Sequence, residues 1–534
     1  MRKRLLAGTA IVGGLATLTA FAVPVAAATA TGPNTTTAPY VLPTAAGVDI
    51  TSLLTVADAG AASNGYEMVG IPDGLGARFA NGRTEVYMNH ELRVDRGVVR
   101  AHGQMGAFVS KMTINAATNA VEAGADLIQP GVQFYDYLAD TYAAAPNGAG
   151  TNPSTGKTFP AYSPAFSRFC SGSLTDPFQL YNFRTGRGDF GQIYFANEES
   201  GNEGRVFGVT TSGQAQQLPR LGLFSWENTL AARNQSDTTL AIGMEDSADG
   251  QLHVYAGTKQ RTGTIFDKAG FTNGSHSVVR VGGGPLDDPG VRVLIAADAD
   301  GKVPFDLSDV PWNQSGADQS TESRAEGQTL NRIEDGTWDP TNKNVFYFVT
   351  TEGGVGATPA RDGGGLWRLT FADIENPAAG GTLELLLDGS EAIGLSKPDN
   401  MTIDAQGGHL LIQEDPGNNP HLARIVAYRT SDGATAVVAT FDPTLFTPGS
   451  PGFITQDEES SGVIDVSSSY IALPRTPREA IAFAQETISR LRGGVFLFDA
   501  QVHTANGLDN PTAQVERGQL LVMKIADWRT VYGS

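Results

Sequence analysis

The chain has 534 residues and a formal net charge of −20, from 37 Lys and Arg against 57 Asp and Glu. A surface of that sign repels nucleic acid and anionic membrane, so neither is the expected partner. A single cysteine, Cys170, excludes an internal disulfide, and 64 glycines with 28 prolines point to a chain of many turns.

Taken in order, Arg2, Lys3 and Arg4 precede an apolar run from about Leu5 to Val25. Ala26-Ala27-Ala28 and Ala28-Thr29-Ala30 offer small-residue cleavage sites. Residues 1–28 therefore read as a signal peptide, and the product as a protein secreted to the cell envelope or medium and not membrane-bound after cleavage. Residues 29–45 read as a flexible Thr/Pro-rich leader. The rest, 46–534, reads as one domain with insertions near 143–190, 260–330 and 474–493.

Within that domain a pattern recurs. Val86-Tyr87-Met88 runs into Asn89-His90-Glu91, and Ile193-Tyr194-Phe195-Ala196 into Asn197-Glu198-Glu199. Leu240 to Met244 runs into Glu245-Asp246, and Val345 to Val349 into Thr350-Thr351-Glu352. Leu410 to Gln413 runs into Glu414-Asp415, and Val495 to Phe498 into Asp499 and later His503. Short β-rich runs thus carry a potential metal ligand at the same end six times. The simplest arrangement is all-β, a six-bladed β-propeller with its acidic groups at one mouth. Asp249-Gly250 between two apolar runs signals a hairpin. The acidic, Ser-rich tail from Gln314 to Glu326 is expected to be a loop over the site. One helix is clear, Pro477 to Leu491, with Thr476 and Glu479 as a capping box and an apolar stripe including Ile481 and Leu491. Gly518–Ile525 is expected to close the ring by pairing with N-terminal sequence.

The candidate ligands are Glu91, Cys170, Glu198, Glu199, Glu227, Glu245, Asp246, Glu334, Glu414 and Asp415, with Asn89, His90, Asn197 and Asp399 as supporting or additional ligands. Any one of these carboxylates alone reads as a solvated turn residue; their recurrence at strand exits favours a shared cluster. Carboxylates suit calcium, whereas a thiolate suits a softer metal such as iron. Cys170 is either that thiolate or a small buried hydrophobe. Arg332, two positions before Glu334, is either a fork for an anionic substrate or a salt bridge that holds Glu334. No Gly-x-Ser-x-Gly elbow, phosphate-binding loop or dinucleotide fingerprint is present.

Seven motifs in order resemble the PhoX family of secreted bacterial alkaline phosphatases. They are Asn89-His90-Glu91, Ala101-His102-Gly103, Cys170-Ser171-Gly172, Asn197-Glu198-Glu199, Phe224-Ser225-Trp226-Glu227, Arg332-Ile333-Glu334 and Pro398-Asp399-Asn400. The resemblance implies a six-bladed propeller with a mixed iron and calcium cluster that hydrolyses phosphomonoesters. Cys170, Glu227 and Glu334 would fall at iron-ligand positions, Glu91, Glu198 and Glu199 on the calcium side, and Arg332 and Glu334 at the catalytic centre, Arg332 on the phosphate. Three positions depart from the family pattern: Asn197 stands for its second cysteine, Trp226 for a histidine and Ile333 for a proline. The expectation is a secreted, monomeric, metal-dependent phosphomonoester hydrolase acting on small phosphorylated substrates. The alternatives are a calcium-stabilised propeller with lactonase or phytase-like activity, and a non-enzymatic binding propeller.

Overall fold

The computed structural model describes residues 27–58, 61–351, 364–417, 421–474 and 476–533. The expected signal sequence up to Ala26, and Glu352, lie outside the described residues.

The strands form a β-propeller; along its hydrogen-bonded sheets six four-stranded units can be traced, with edge strands and two-stranded hairpins besides them among the described residues. The first runs from Pro72–Ala80 outward to Ala120–Asp126, and the second from Phe169–Leu174 to Ala215–Gln217. The third, Trp226–Ala231 to Ser275–Val281, and the fourth, Ile333–Trp338 to Gly381–Leu387, are joined edge to edge by Lys302–Asp309. The fifth begins at Pro398–Ile403, and Val41–Pro43 pairs onto its outer edge. The sixth holds Glu458–Asp465, Gly494–Val502 and Arg517–Ile525. Its fourth strand is the N-terminal Val48–Thr55, antiparallel to Arg517–Ile525, so the ring closes as expected. The innermost strands touch one another in turn around the axis.

Each second strand lies between two neighbouring units, which explains its unbroken apolar run: alternate side chains fill alternate seams. Phe346 and Phe348 pack toward the third unit, and Val345, Tyr347 and Val349 toward the fifth. Each of the six seams has its own apolar core. Near the axis the inner strands approach backbone to backbone. A Cβ on Gly74 would come within 1.9 Å of the Gly172 amide nitrogen in the next unit. Gly74→Ala should therefore force the first two units apart and cost about 1–3 kcal/mol or more. The measurement is urea unfolding; an unchanged midpoint would contradict this packing.

The leader is not the flexible segment expected. Ala28–Thr31 pairs with Val48–Thr55 as a parallel edge strand. Beyond it, the Asp58 carboxylate gathers the Thr35 hydroxyl and the amides of Thr36 and Thr37 at 2.7 to 2.9 Å. Those donors hold the Asp58 carboxyl well below its ordinary range. A threonine-rich run looks unstructured by composition, yet it supplies the donors one carboxylate needs. The stretch 260–330 also differs from expectation. It contributes the strands Ser275–Val281 and Lys302–Asp309 and the helix Asp288–Ala297. Its acidic tail is a helix, Gly316–Glu326, in which the Ser315 hydroxyl accepts from the Asp318 amide. The buried face of that helix is Gly316, Gln319, Ser320 and Ser323, which carries no apolar periodicity to read. The expected C-terminal helix is present as Pro477–Arg490, although Ile481 and Leu491 of its stripe are exposed.

Candidate metal centre

The six units deliver their inner strands to the mouth in the same way. The residue before each inner strand accepts, through its carbonyl, the amide that follows the end of the second strand. The donors are Glu91, Glu199, Asp246, Thr351, Asp415 and His503, and the acceptors are Ile71, Arg168, Ser225, Arg332, Lys397 and Asp457, all at 2.9 to 3.0 Å. This clamp sets two concentric rings. The donor residues form the outer one. The second residue of each inner strand forms the inner one: Asp73, Cys170, Glu227, Glu334, Asp399 and Glu459.

Ligand atoms of Asp73, Glu91 and Cys170 lie within 4.8 Å of one another, as do those of Cys170, Glu199 and Glu227, and those of Glu227, Glu334 and Asp399. These overlapping triads make one continuous cluster. Arg168 pairs with Glu91 at 2.7 Å and also with Glu199. Arg332 grips both oxygens of Asp246 at 2.8 and 3.1 Å and reaches Glu334 at 3.0 Å. Ile71, Arg168, Arg332 and Lys397 all have left-handed backbone, with φ between 44° and 55°. Such conformations cost roughly 1–3 kcal/mol each outside glycine and persist where the surroundings impose them. Two of them carry the arginines that reach the carboxylates of the mouth, Arg168 and Arg332, while Lys397 donates to the Pro416 carbonyl.

Arg168, Arg332 and Lys397 are too few to neutralise the cluster. Burial, with Asp246 and Glu91 adding repulsion, pushes Glu227 up to about 7 although Cys170 and Ser171 donate to it. Burial and Asp415 push Glu459 up to about 8 against the pull of His503. Burial and neighbouring carboxylates also raise Asp73, Glu199, Glu334 and Asp399 well above the carboxylate range, and the Cys170 thiol rises for the same reasons. Oxygen donors in this number, joined by a thiol, fit a polyvalent cation, which removes the repulsion that protons would otherwise have to relieve.

This has a pH consequence. Acids raised by folding hold more protons folded than unfolded, from about pH 4 up to their folded values. In that window stability falls as pH rises. After chelation the protein should melt progressively lower from pH 5 to pH 8, and calcium should restore the loss at pH 8. A chelated protein whose Tm stays flat or rises across that range would contradict the electrostatics.

Neutral side chains just after the inner-ring residues tie the inner strands to one another, and one of them grips the candidate ligand Asp73. Asn228 donates to Asp335 at 2.7 Å, Asn400 to Ser171 at 2.5 Å and Ser461 to Asp73 at 2.6 Å.

Of the residues expected from sequence, Glu91, Cys170, Glu199, Glu227, Glu334 and Asp399 meet in the cluster. Asp246 and Asp415 sit in the outer ring beside it, Asp246 held by Arg332. Glu198, Glu245 and Glu414 are not brought there. Each ends a second strand and points into a seam, where it pairs with Arg205, Arg324 or Arg424 at 2.6 to 2.8 Å. Strand alternation explains the difference, since adjacent residues face opposite ways. His90 also faces away. It stacks on Phe108 and shares a hydrogen bond with the Ser110 hydroxyl, and burial drops it to about 3, so it stays neutral. Asn89 and Asn197 act as ties, Asn89 donating to the Cys170 carbonyl at 2.6 Å and Asn197 to the Ser171 carbonyl at 3.0 Å. Sequence reasoning missed Asp73, Glu459, Arg168 and Lys397. The available signal was positional: an acid two residues after the clamp residue, as in Ile71-Pro72-Asp73 and Lys397-Pro398-Asp399.

No protein-family model matches this sequence, and no curated protein sequence does. Among solved structures, Pseudomonas fluorescens PhoX in complex with vanadate, a transition-state analogue, is similar over 94% of this chain and 97% of its own, with a TM-score of 0.56 and 11% identity. An α-L-arabinofuranosidase from Fusarium graminearum, in complex with an iminosugar inhibitor, is similar over 86% of this chain and 94% of its own, with a TM-score of 0.39 and 7% identity. The chain therefore has a PhoX-like propeller fold.

Proposed function

We propose that this protein is a secreted, metal-dependent hydrolase that removes phosphate from small phosphomonoesters, with calcium and iron at the mouth of its propeller. The observation that carries the reading is the cluster itself: carboxylates and the Cys170 thiol converge beside Arg332 and Arg168. The fold likeness to a PhoX that holds vanadate supports the choice of phosphoryl chemistry. Asp73, Glu91, Cys170, Glu199, Glu227, Glu334 and Asp399 would hold the metals. Bound there, the metals would neutralise the phosphate and supply an activated oxygen nucleophile.

The chain's own groups do the rest. Arg332 offers planar N–H donors at the edge of the cluster, suited to equatorial phosphate oxygens. Its grip on Asp246 fixes the guanidinium before substrate arrives. Thr351 donates its hydroxyl to Glu334 at 2.5 Å and so sets the orientation of that carboxylate. With the metals in place no side-chain nucleophile is needed.

The test is a panel of chromogenic substrates offered to calcium- and iron-supplemented protein: a phosphomonoester, a phosphodiester, a lactone and an arabinofuranoside. Turnover of the monoester above the others is expected. Turnover of the lactone or the arabinofuranoside alone would replace this reading.

A further inference from the structure

The sixth unit departs from the other five at the seam where it meets the first. Three residues before the end of each second strand, one side chain faces the next unit. In five units it is Tyr87, Phe195, Ile242, Tyr347 or Leu411, each within the apolar core of its seam. In the sixth it is Asp499, fully buried. Neither Asp499 carboxylate oxygen has a hydrogen-bond partner, and Gln501 Oε1, on the same face of the same strand, has none. Burial, followed by Glu459, raises the Asp499 carboxyl well above its ordinary range. Buried carboxyl groups without donors or counter-ions are rare because nothing replaces their lost hydration.

The opposite wall departs at the same level. In five units the inner strand is irregular directly after its first residue. In the sixth the irregularity lies between Ser461 and Ile464, where Gly462 takes a left-handed φ of 62°. A Cβ on Gly462 would lie 2.8 Å from the Asp73 carbonyl oxygen and 2.9 Å from Asp499 Oδ2. The two oxygens therefore close on the same point, which also lies 3.0 Å from Leu75 Cγ, and only glycine lets the inner strand pass there. Gln501 adjoins this point, its amide donating to Asp73 Oδ2 at 3.2 Å.

We propose that Asp499, the Asp73 carbonyl and Gln501 Oε1 form a separate site for a hard divalent cation such as calcium, buried in the seam that closes the ring. All its donors are oxygens, the preference of calcium, and no thiol takes part. The site joins the last unit to the first, so its role is to hold the propeller shut. It does not depend on the reaction at the mouth.

The test compares wild type with Asp499→Asn, which keeps the size of the side chain and removes its charge. Both proteins are stripped with chelator, refilled with calcium and analysed for bound metal and for Tm. The variant should hold one calcium per chain fewer and gain less Tm from calcium. Glu334→Gln should leave this seam calcium in place, which separates the site from the mouth. Equal calcium content and an equal calcium-dependent rise in Tm would show instead that Asp499 is simply protonated, and would overturn the proposal. If Asp499→Asn does not fold, wild-type crystals soaked in terbium decide the matter. An anomalous peak beside Asp499 supports the site; an occupied mouth with no peak in the seam removes it.

Discussion

Glu334→Gln should empty the mouth of metal and abolish hydrolysis together, while making the metal-free protein more stable at pH 8. Glu334 is a member of the cluster, with ligand atoms of Glu227 and Asp399 within 4.8 Å. The amide keeps the shape and still accepts from Thr351, so the fold has no steric reason to fail. Removing groups that merely orient metal ligands typically costs 10–100-fold in affinity or activity, so loss of a ligand itself should cost at least about 100-fold. The gain in stability has the opposite sign for a definite reason. Burial and Asp246 push the Glu334 carboxyl up, against the pull of Arg332, so its ionised form is a burden on the chelated protein at alkaline pH. A neutral side chain removes that burden. A purely structural carboxylate, held by Arg332 for stability, would give the reverse: lower Tm and unchanged metal.

Arg332→Lys should keep the metal and lose the rate. Lysine preserves the positive charge, but it lacks the fork that grips Asp246 through two nitrogens. Removal of one preorganised donor to a developing oxyanion costs about 100–1,000-fold in kcat. A loss of that order is expected here, with metal content by elemental analysis unchanged. This variant also separates the two roles the sequence left open for Arg332. If metal content falls in step with activity, the arginine serves to hold Glu334 rather than to meet the phosphate.

The propeller was legible because its second strands are sandwiched between units. Ile193-Tyr194-Phe195-Ala196 and its counterparts are apolar on both faces and end at one level, and that repeat survives any divergence that preserves the seams. Half of the mouth was legible for the same reason. Glu91, Glu199, Asp246 and Asp415 follow the ends of those strands. The inner ring was harder to see. The inner strands are short, most bulge after their first residue, and they face the axis with Gly74, Ser171 and Asn228 rather than an apolar stripe, so Asp73 and Glu459 carried no periodic marker. Which member of Glu198-Glu199 faces the mouth follows from strand register, and only a partner such as Arg205, distant from the mouth, reveals it. The helix Gly316–Glu326 escaped because its buried face is small and polar, and the leader because its threonines act through one distant carboxylate, Asp58.

The central claim is that the acidic mouth holds metal in order to hydrolyse a phosphate ester. The most direct measurement is hydrolysis of a chromogenic phosphomonoester at alkaline pH by the purified chain, before chelation, after it, and after calcium and iron are returned. Turnover that disappears on chelation and comes back with metal is the predicted result. No turnover in protein shown by elemental analysis to be metal-loaded, or turnover indifferent to chelation, would contradict it.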